Sequence, residues 1–273
     1  MASIKKEFIT FIRQSGLSTL ADNMRFQLMR LKNRKMNQEF IKSHPGIAFP
    51  PPYMVYESFQ INYQKYYLGG REDAEWLVSL VQPYCTLEHC KILDWGCGPG
   101  RIIRHLPAIL GDTNQYFGSD YNDKTISWCQ KNIHGIVFSK NEIKPRLPFQ
   151  DNEFDLIYGI SILTHLSEEN QYLWSEELYR VSSPNGIVML TTHGDAFIEK
   201  LTPAEADSYH QQKLVLRNKS KEGHRTYGAF HPHEFIQNVF TSSGFRILQH
   251  IPGKRVHETY ISQDVWILKK ENT

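Results

Sequence analysis

Between residues 94 and 120 the sequence gathers groups that could hold a nucleoside. Asp94-Trp-Gly-Cys-Gly-Pro-Gly100 places three glycines at alternate positions directly after a short apolar run, Lys91 to Trp95. Glycines there let the main chain turn sharply and approach a ligand closely. The next apolar run ends in an acid, Asp120, which lies 20 residues past Gly100 and is well placed to hold ribose hydroxyls. The pattern G-x-G-x-G is not the dinucleotide fingerprint G-x-G-x-x-G, because Arg101 stands where the third glycine would be. Loop, strand context and acid together imply a nucleoside-containing ligand; the plain alternative is a tight turn that binds nothing. Two histidines could move protons near neutral pH. His165 follows one apolar run and His193 ends another, both at carboxyl ends of strand candidates, where open α/β sheets bind ligands. His165 ranks first and His193 second as base or substrate ligand, against the reading that each only hydrogen-bonds the scaffold. His231 and His233 precede a helix and read as loop or capping residues, and Asp195 is an outside candidate. No His/Asp/Glu cluster has metal-ligand spacing, so no metal is expected.

The elements that must position these groups alternate. Strand candidates are Lys91 to Trp95, Gln115 to Ser119, Gly135 to Phe138, Phe154 to Ile160, Ile187 to Thr192, Phe245 to Ile251 and Val265 to Leu268. Helices are expected over Arg101 to Leu110, Asp123 to Asn132, a stretch capped by Ser167 with Glu168 and Glu169 in its first turn, and Pro232 to Phe240. Such alternation implies a largely parallel sheet covered on both faces. The polar stretch His193 to Phe230 holds few strand-like runs and is the natural place for acceptor-binding loops.

The chain has 273 residues, 40% hydrophobic and 22% charged, a globular composition rather than a disordered one. With 31 basic and 29 acidic residues the net charge is +2, which argues against a general nucleic-acid binder. No run approaches the roughly 18 apolar residues of a membrane span. Cys85, Cys90, Cys97 and Cys129 show no C-x-x-C spacing, so a reducing, cytoplasmic setting is the simplest reading. Charge is uneven: residues 1 to 44 hold nine Lys or Arg against Glu7, Asp22 and Glu39. Ile4, Phe8, Phe11 and Ile12 share one helical face, and Leu17, Leu20, Met24, Leu28 and Leu31 form a second stripe. The segment reads as an accessory helical cap with a solvated basic face or as a peripheral contact with anionic lipid. Pro50-Pro51-Pro52 must be extended and marks a joint. The expected division is an appendage over 1–52 and a main domain over 53–273, with a cofactor half at 91–192 and an acceptor-binding insertion at about 193–230. Tyr56, Phe59, Tyr63, Tyr66 and Tyr67 have helical spacing and read as packing or as a lid; Arg71 could reach a ligand carboxylate or be a plain surface residue.

Ile92-Leu-Asp-Trp-Gly-Cys-Gly-Pro-Gly-Arg101 resembles motif I of the class I S-adenosylmethionine-dependent methyltransferases. Leu147 to Tyr158 looks like that family's strand-four region, Ser161 to Leu166 like the segment after it, and Ser183-Pro-Asn-Gly186 with Thr191-Thr-His-Gly194 like the turn into strand five and its end. The resemblance covers roughly residues 68 to 269 and is closest to the branch found with bacterial surface-polysaccharide and natural-product synthesis. It implies a Rossmann-like, doubly wound, mostly parallel seven-stranded sheet with an antiparallel last strand, behind the N-terminal helical appendage. It implies S-adenosyl-L-methionine as cofactor. By motif match Gly96, Cys97, Gly98 and Gly100 would line its methionine part, with Asp94 near the amino group. Asp120 would hold the ribose diol, Tyr121 would pack on adenine, Asn141 and Glu142 would occupy the adenine edge, and Ile160 would touch the cofactor by its backbone.

The reading that follows is methyl transfer to a hydroxyl of a sugar, glycan precursor or small metabolite. A hydroxyl acceptor needs a base, for which His165 and His193 are the candidates. Pro51-Pro52-Tyr53 looks like part of the box of nucleic-acid amino methyltransferases, but Pro50 occupies its polar position and no buried strand precedes it. The alternatives are a noncatalytic S-adenosylmethionine-binding subunit and, with the fingerprint glycine missing, an NAD-dependent oxidoreductase.

Overall fold

The structure, a computed structural model, describes residues 18–217, 220–224, 226–258 and 260–271, without the side chains of 18–21 and 57–59. The chain divides into two compact units, residues 1–70 and 71–273.

The first unit is helical: α1 (Ser18–Lys32), α2 (Arg34–Ser43), α3 (Pro52–Phe59) and the beginning of α4 (Tyr63–Val81). The stripe at Ile4, Phe8, Phe11 and Ile12 and the residue Leu17 lie outside the described residues, as does the side chain of Leu20. Met24, Leu28 and Leu31 are exposed, so the stripe seen in sequence is not the buried face of α1. That helix packs instead through Phe26, edge-on to Tyr56 at 5.2 Å, and through Asp22, whose carboxylate accepts from the Tyr56 hydroxyl at 2.7 Å. Val55, Tyr63 and Tyr66 form a small core with Phe40, Phe49 and Tyr67. The first compact unit extends to Gly70, inside α4, and the tyrosines beyond the proline joint contribute to its core.

The second unit is a three-layer α/β fold. Its strands are β1 (Lys91–Trp95), β2 (Gln115–Asp120), β3 (Ile136–Lys140), β4 (Phe154–Gly159), β5 (Ser182–Thr192), β8 (Phe245–Ile251) and β11 (Asp264–Lys270), in the sheet order β3-β2-β1-β4-β5-β11-β8. The first five pair in parallel, and β11, the last strand in the chain, runs antiparallel to both β5 and β8. Its helices are the rest of α4, α5 (Leu106–Leu110), α6 (Asp123–Asn132), α7 (Glu168–Val181), α8 (Pro203–His210) and α9 (His233–Ser242). Strand residues alternate between two cores. Ile92, Tyr158, Met189 and Ile267 meet Leu77, Ile103 and Ile126 on one face, while Leu93, Ile157, Val188 and Trp266 meet Trp174, Leu178 and Phe240 on the other. Chain order places β1 between β2 and β4, so the direction of winding reverses beside it and opens a crevice at the carboxyl ends.

The expected helix over Arg101 to Leu110 is broken. Ile103–His105 forms a tight three-residue turn and α5 starts only at Leu106, with Pro107 in its first turn. A proline there cannot donate into a longer helix, and its ring would strike the carbonyl four residues back. The stretch after His193 is more ordered than its polarity suggested. It holds a six-residue turn at Asp195–Lys200, α8, and the hairpin of β6 (Val215–Arg217) with β7 (Gly228–Phe230). Thr202 and Glu205 form a reciprocal capping box at the start of α8. Phe197, Tyr209, Val215, Phe230 and Ile261 give this region its own core. A second hairpin, β9 (Arg255–His257) with β10 (Tyr260–Ile261), follows β8 at the same end of the sheet. No helix among the described residues is long and apolar enough to cross a membrane.

Candidate active site

The glycine loop is tied to the end of β2 through its backbone. The amides of Gly96 and Cys97 both donate to the Ser119 carbonyl, at 2.8 and 2.9 Å. Gly98 N–H donates to Asp120 Oδ2 at 3.0 Å, and Asn122 N–H donates to Asp120 Oδ1 at 2.8 Å. The buried Cys97 and Cys129 thiols lie against the Gly98 carbonyl at 3.4 and 3.5 Å, and burial raises both thiols well above their ordinary range. Gly96, Gly98 and Gly100 have φ of 76°, 50° and 71°. A methyl group on Gly100 would stand 2.7 Å from Ile133 Cδ1, whereas one on Gly98 would meet nothing within 4 Å. The turn therefore packs downward at Gly100 and faces open space at Gly98.

Beside the loop lies a cavity of about 70 Å³, open on one side, lined by Trp95, Gly96, Asp120, Tyr121, Asn141, Glu142, Ile143, Ile162, His165, Leu166, Trp174 and Gly223. Its aromatic floor is Trp95 with Trp174 at 5.0 Å, the latter fixed by its indole N–H to the Ile143 carbonyl at 2.7 Å. Tyr121 is partly exposed and donates its hydroxyl to the Gly223 carbonyl at 3.1 Å. The Asn141 amide donates to the Glu142 carbonyl at 2.7 Å, which fixes its orientation, and its buried Oδ1 has no hydrogen-bond partner among the described residues. An acceptor left unsatisfied in a cavity is costly unless a ligand donor meets it. The cavity thus combines an apolar aromatic floor with the Asp120 carboxylate on one wall. Glu142 contributes to the wall, but its carboxylate turns outward to Lys140 at 3.0 Å.

Asp94 sits beneath the loop at 4% exposure, in register with Tyr158 on β4. Burial raises its carboxyl to about 7, with Tyr158 and Arg101 pulling it part of the way back. Arg101 is itself ion-paired with Asp73 of α4. Ile160 follows β4, half-buried against the Asp94 face of the sheet.

His165 lies in the short turn Leu163–His165 and lines the cavity. Its Nδ1 is 2.8 Å from the Tyr227 carbonyl, and His193 Nδ1 is 3.1 Å from the Ala229 carbonyl, so the residue before β7 and the middle residue of β7 hold the two rings. A carbonyl only accepts, so each Nδ1 must carry a proton. The two differ in surroundings. His193 packs against Phe197 and Phe230, with tilted rings and centroids at 4.2 and 5.3 Å, and burial lowers it to about 4. His231 is 1% exposed and lowered by burial to about 3, and His233 packs on His250 and Trp266, so neither caps α9, whose N-cap is Pro232. Asp195 accepts from Tyr209 at 2.9 Å, and Arg71 pairs along its helix with Glu75. Among the described residues no group of three or more His, Cys, Asp or Glu could hold a metal ion.

A polar ring beside Ile160 has no counterpart in the sequence reading. Ser161 has φ 64°, unusual for a serine. Its N–H donates to Thr191 Oγ1 at 2.8 Å, and Thr191 donates to Gln263 Oε1 at 2.6 Å. Gln263 Nε2 donates to Ser161 Oγ at 2.8 Å, Ser161 donates to Thr164 Oγ1 at 2.8 Å, and Thr164 donates to the Ser161 carbonyl at 2.6 Å. Gln263 lies 102 residues from Ser161, so no local pattern announces the pair.

A family profile described as methyltransferase domain matches residues 87–240. The chain is 27% identical over 178 residues to the phosphoethanolamine N-methyltransferase of Plasmodium falciparum, covering 64% of this chain and 60% of that protein. It is 21% identical over 240 residues to a tRNA N(3)-cytidine methyltransferase of Danio rerio, covering 80% of this chain and 66% of that one. The chain thus spans about three fifths to two thirds of the length of these relatives. Among solved structures it is similar to a Synechocystis magnesium protoporphyrin IX methyltransferase with bound S-adenosylhomocysteine, at TM-score 0.54 and 15% identity, over 80% of this chain and 91% of that one.

Proposed function

The chain belongs to the class I S-adenosylmethionine-dependent methyltransferases, and from that premise we propose that it methylates a hydroxyl of a sugar, glycan precursor or small metabolite. The relatives named above carry different acceptors in their names, so the acceptor must be argued from the site. Bound beside the glycine loop, S-adenosylmethionine supplies an electrophilic methyl group on a sulfonium. Gly96, Cys97, Gly98 and Gly100 then shape the methionine end by backbone, with Asp94 near its ammonium. Asp120 receives the ribose hydroxyls, Asn141 Oδ1 the adenine amino group, and Tyr121 with the edge at Glu142 covers the base. Ile160 meets the cofactor through its main chain.

The observation that carries the hydroxyl reading is the His165 tautomer. Its Nδ1 donates to the Tyr227 carbonyl, which assigns the base role in this reading to Nε2 of a ring that lines the cavity. A hydroxyl needs such a base as its oxygen attacks. His193, lowered to about 4, is too weak a base to share this task evenly at neutral pH and serves better to shape the acceptor side. The four cysteines are thiols, in keeping with a cytoplasmic enzyme.

The test is His165→Ala with labelled methyl donor and a panel of sugar, amine and tRNA acceptors. S-adenosylhomocysteine affinity should persist while turnover on a hydroxyl acceptor falls by about 10²–10⁴-fold. Unchanged turnover, or methylation confined to amines or tRNA, would overturn the reading.

A further inference from the structure

The segment between β6 and β7 touches both halves of the site at once. Gly223 donates its N–H to the His165 carbonyl at 2.9 Å and accepts, through its own carbonyl, the Tyr121 hydroxyl at 3.1 Å. Four residues later the Tyr227 carbonyl takes His165 Nδ1. One short stretch thus holds the main chain of His165, the ring of His165 and the tyrosine over the nucleoside cavity.

The stretch is anchored by one side chain. Glu222 Oε1 accepts from the Ser167 N–H at 2.5 Å and from Asn170 Nδ2 at 2.8 Å. Ser167 is the N-cap of α7, two residues past His165. A carboxylate at that place meets the exposed amides and positive end of the helix, where such contacts are shorter and stronger than neutral ones. Two hydrogen bonds hold Glu222 to the start of α7, and its neighbour Gly223 lines the cavity.

We propose that Glu222 is a positioning residue: by pinning the 220–224 segment to the start of α7, it sets the His165 ring and the Tyr121 cover together. Cofactor occupancy and readiness of the histidine are then linked through Gly223. This rests on the methyltransferase reading for its ligand, but not on His165 being the base, because its readouts need no acceptor.

The experiment uses the full chain with ring-¹⁵N histidine, His165 being assigned by His165→Ala, and S-adenosylhomocysteine as probe. Wild type and Glu222→Gln should both show the Nδ1–H tautomer at His165 and similar affinity, since glutamine keeps an acceptor oxygen. Glu222→Ala should lose that tautomer preference and bind the probe roughly tenfold more weakly. Tyr121→Phe, which cuts the link at its other end, should also loosen the His165 tautomer. A folded Glu222→Ala that keeps both tautomer and affinity overturns the proposal, and a change in only one of them overturns the linkage. Turnover of His165→Ala on an acceptor judges the base separately.

Discussion

Alanine at Gly98 and at Gly100, two residues apart, should damage different properties. Both glycines have positive φ, 50° and 71°, where an alanine costs about 1–2 kcal/mol. Alanine also restricts the unfolded chain, which returns about 0.4–1 kcal/mol. At Gly100 the new methyl stands 2.7 Å from Ile133 Cδ1, with Phe138 and Ile103 atoms at 3.6 and 3.7 Å behind it. Ile133 and Phe138 are core residues, so overpacking adds about 1–3 kcal/mol. The net is about 3 kcal/mol for Gly100→Ala and about 1 kcal/mol for Gly98→Ala. At roughly 3 °C per kcal/mol these become falls in Tm of about 9 °C and about 3 °C. Binding should reverse the order. At Gly98 the methyl enters space that the protein leaves open, so it competes with the ligand, and S-adenosylhomocysteine affinity should fall about tenfold to a hundredfold. Thermal melts without ligand and calorimetric titration with it measure the two effects. If Gly98→Ala binds like wild type, or melts below Gly100→Ala, then the turn does not face the ligand as argued.

Stability without ligand should fall as pH drops from 6 to 5. The folded chain holds His193 near 4 and His231 near 3, against 6.5, so below 6.5 the unfolded chain binds two protons that the folded one refuses. Asp94, near 7 against 3.8, opposes this, because the folded chain keeps its proton and loses stability as pH rises through 3.8 to 7. Two against one leaves about 1.4 kcal/mol lost between pH 6 and 5, visible in urea midpoints and flattened by His231→Leu; a rising midpoint would contradict it. Asn141→Ala should weaken S-adenosylhomocysteine about tenfold, as a nucleoside donor loses its acceptor; equal affinity by titration would remove Asn141 from the site.

What the sequence made legible is what depends on neighbours in the chain. The glycine turn, Asp120, the cap at Ser167 and the range of α6 are local patterns, and the seven-stranded sheet with its antiparallel last strand follows the resemblance they carry. The illegible parts depend on partners far away. Phe197, Tyr209, Val215, Phe230 and Ile261 close a core from five separate segments, and β6 and β7 are too short for alternation to show. His165 was visible as a histidine after a strand, but its tautomer is set by a backbone carbonyl 62 residues on. Carbonyls have no residue type, so no sequence pattern marks them. The positive φ of Ser161 is likewise imposed by Thr191 and Gln263 rather than by serine's own preference. The stripe on α1 is legible as a helical face, with Met24, Leu28 and Leu31 exposed on it, but periodicity shows that a face exists, not what covers it.

The carboxyl rim of the sheet bears costs that packing alone does not call for. A carboxyl is buried under the turn at the end of β1 and pushed to about 7, a serine after β4 is held at φ 64°, and Asn141 after β3 keeps a buried acceptor without a donor. Strain of this kind costs of the order of 1–3 kcal/mol per site and persists where the surroundings impose it. A turn that bound nothing would gain from relieving each of these: a neutral residue for Asp94, a glycine for Ser161, a hydrophobe for Asn141. A nucleoside ligand with a cationic amino end answers two of them directly. Its ammonium would complete the ionisation of Asp94, and its exocyclic amine would satisfy Asn141. The Ser161 ring fixes the backbone between Ile160 and His165, which is the boundary between the cofactor cavity and the histidine that faces it. Asn141 and His165 line one cavity, while Asp94 lies under the adjoining turn and the Ser161 ring beside it, an arrangement in keeping with transfer of a group from a bound nucleoside cofactor.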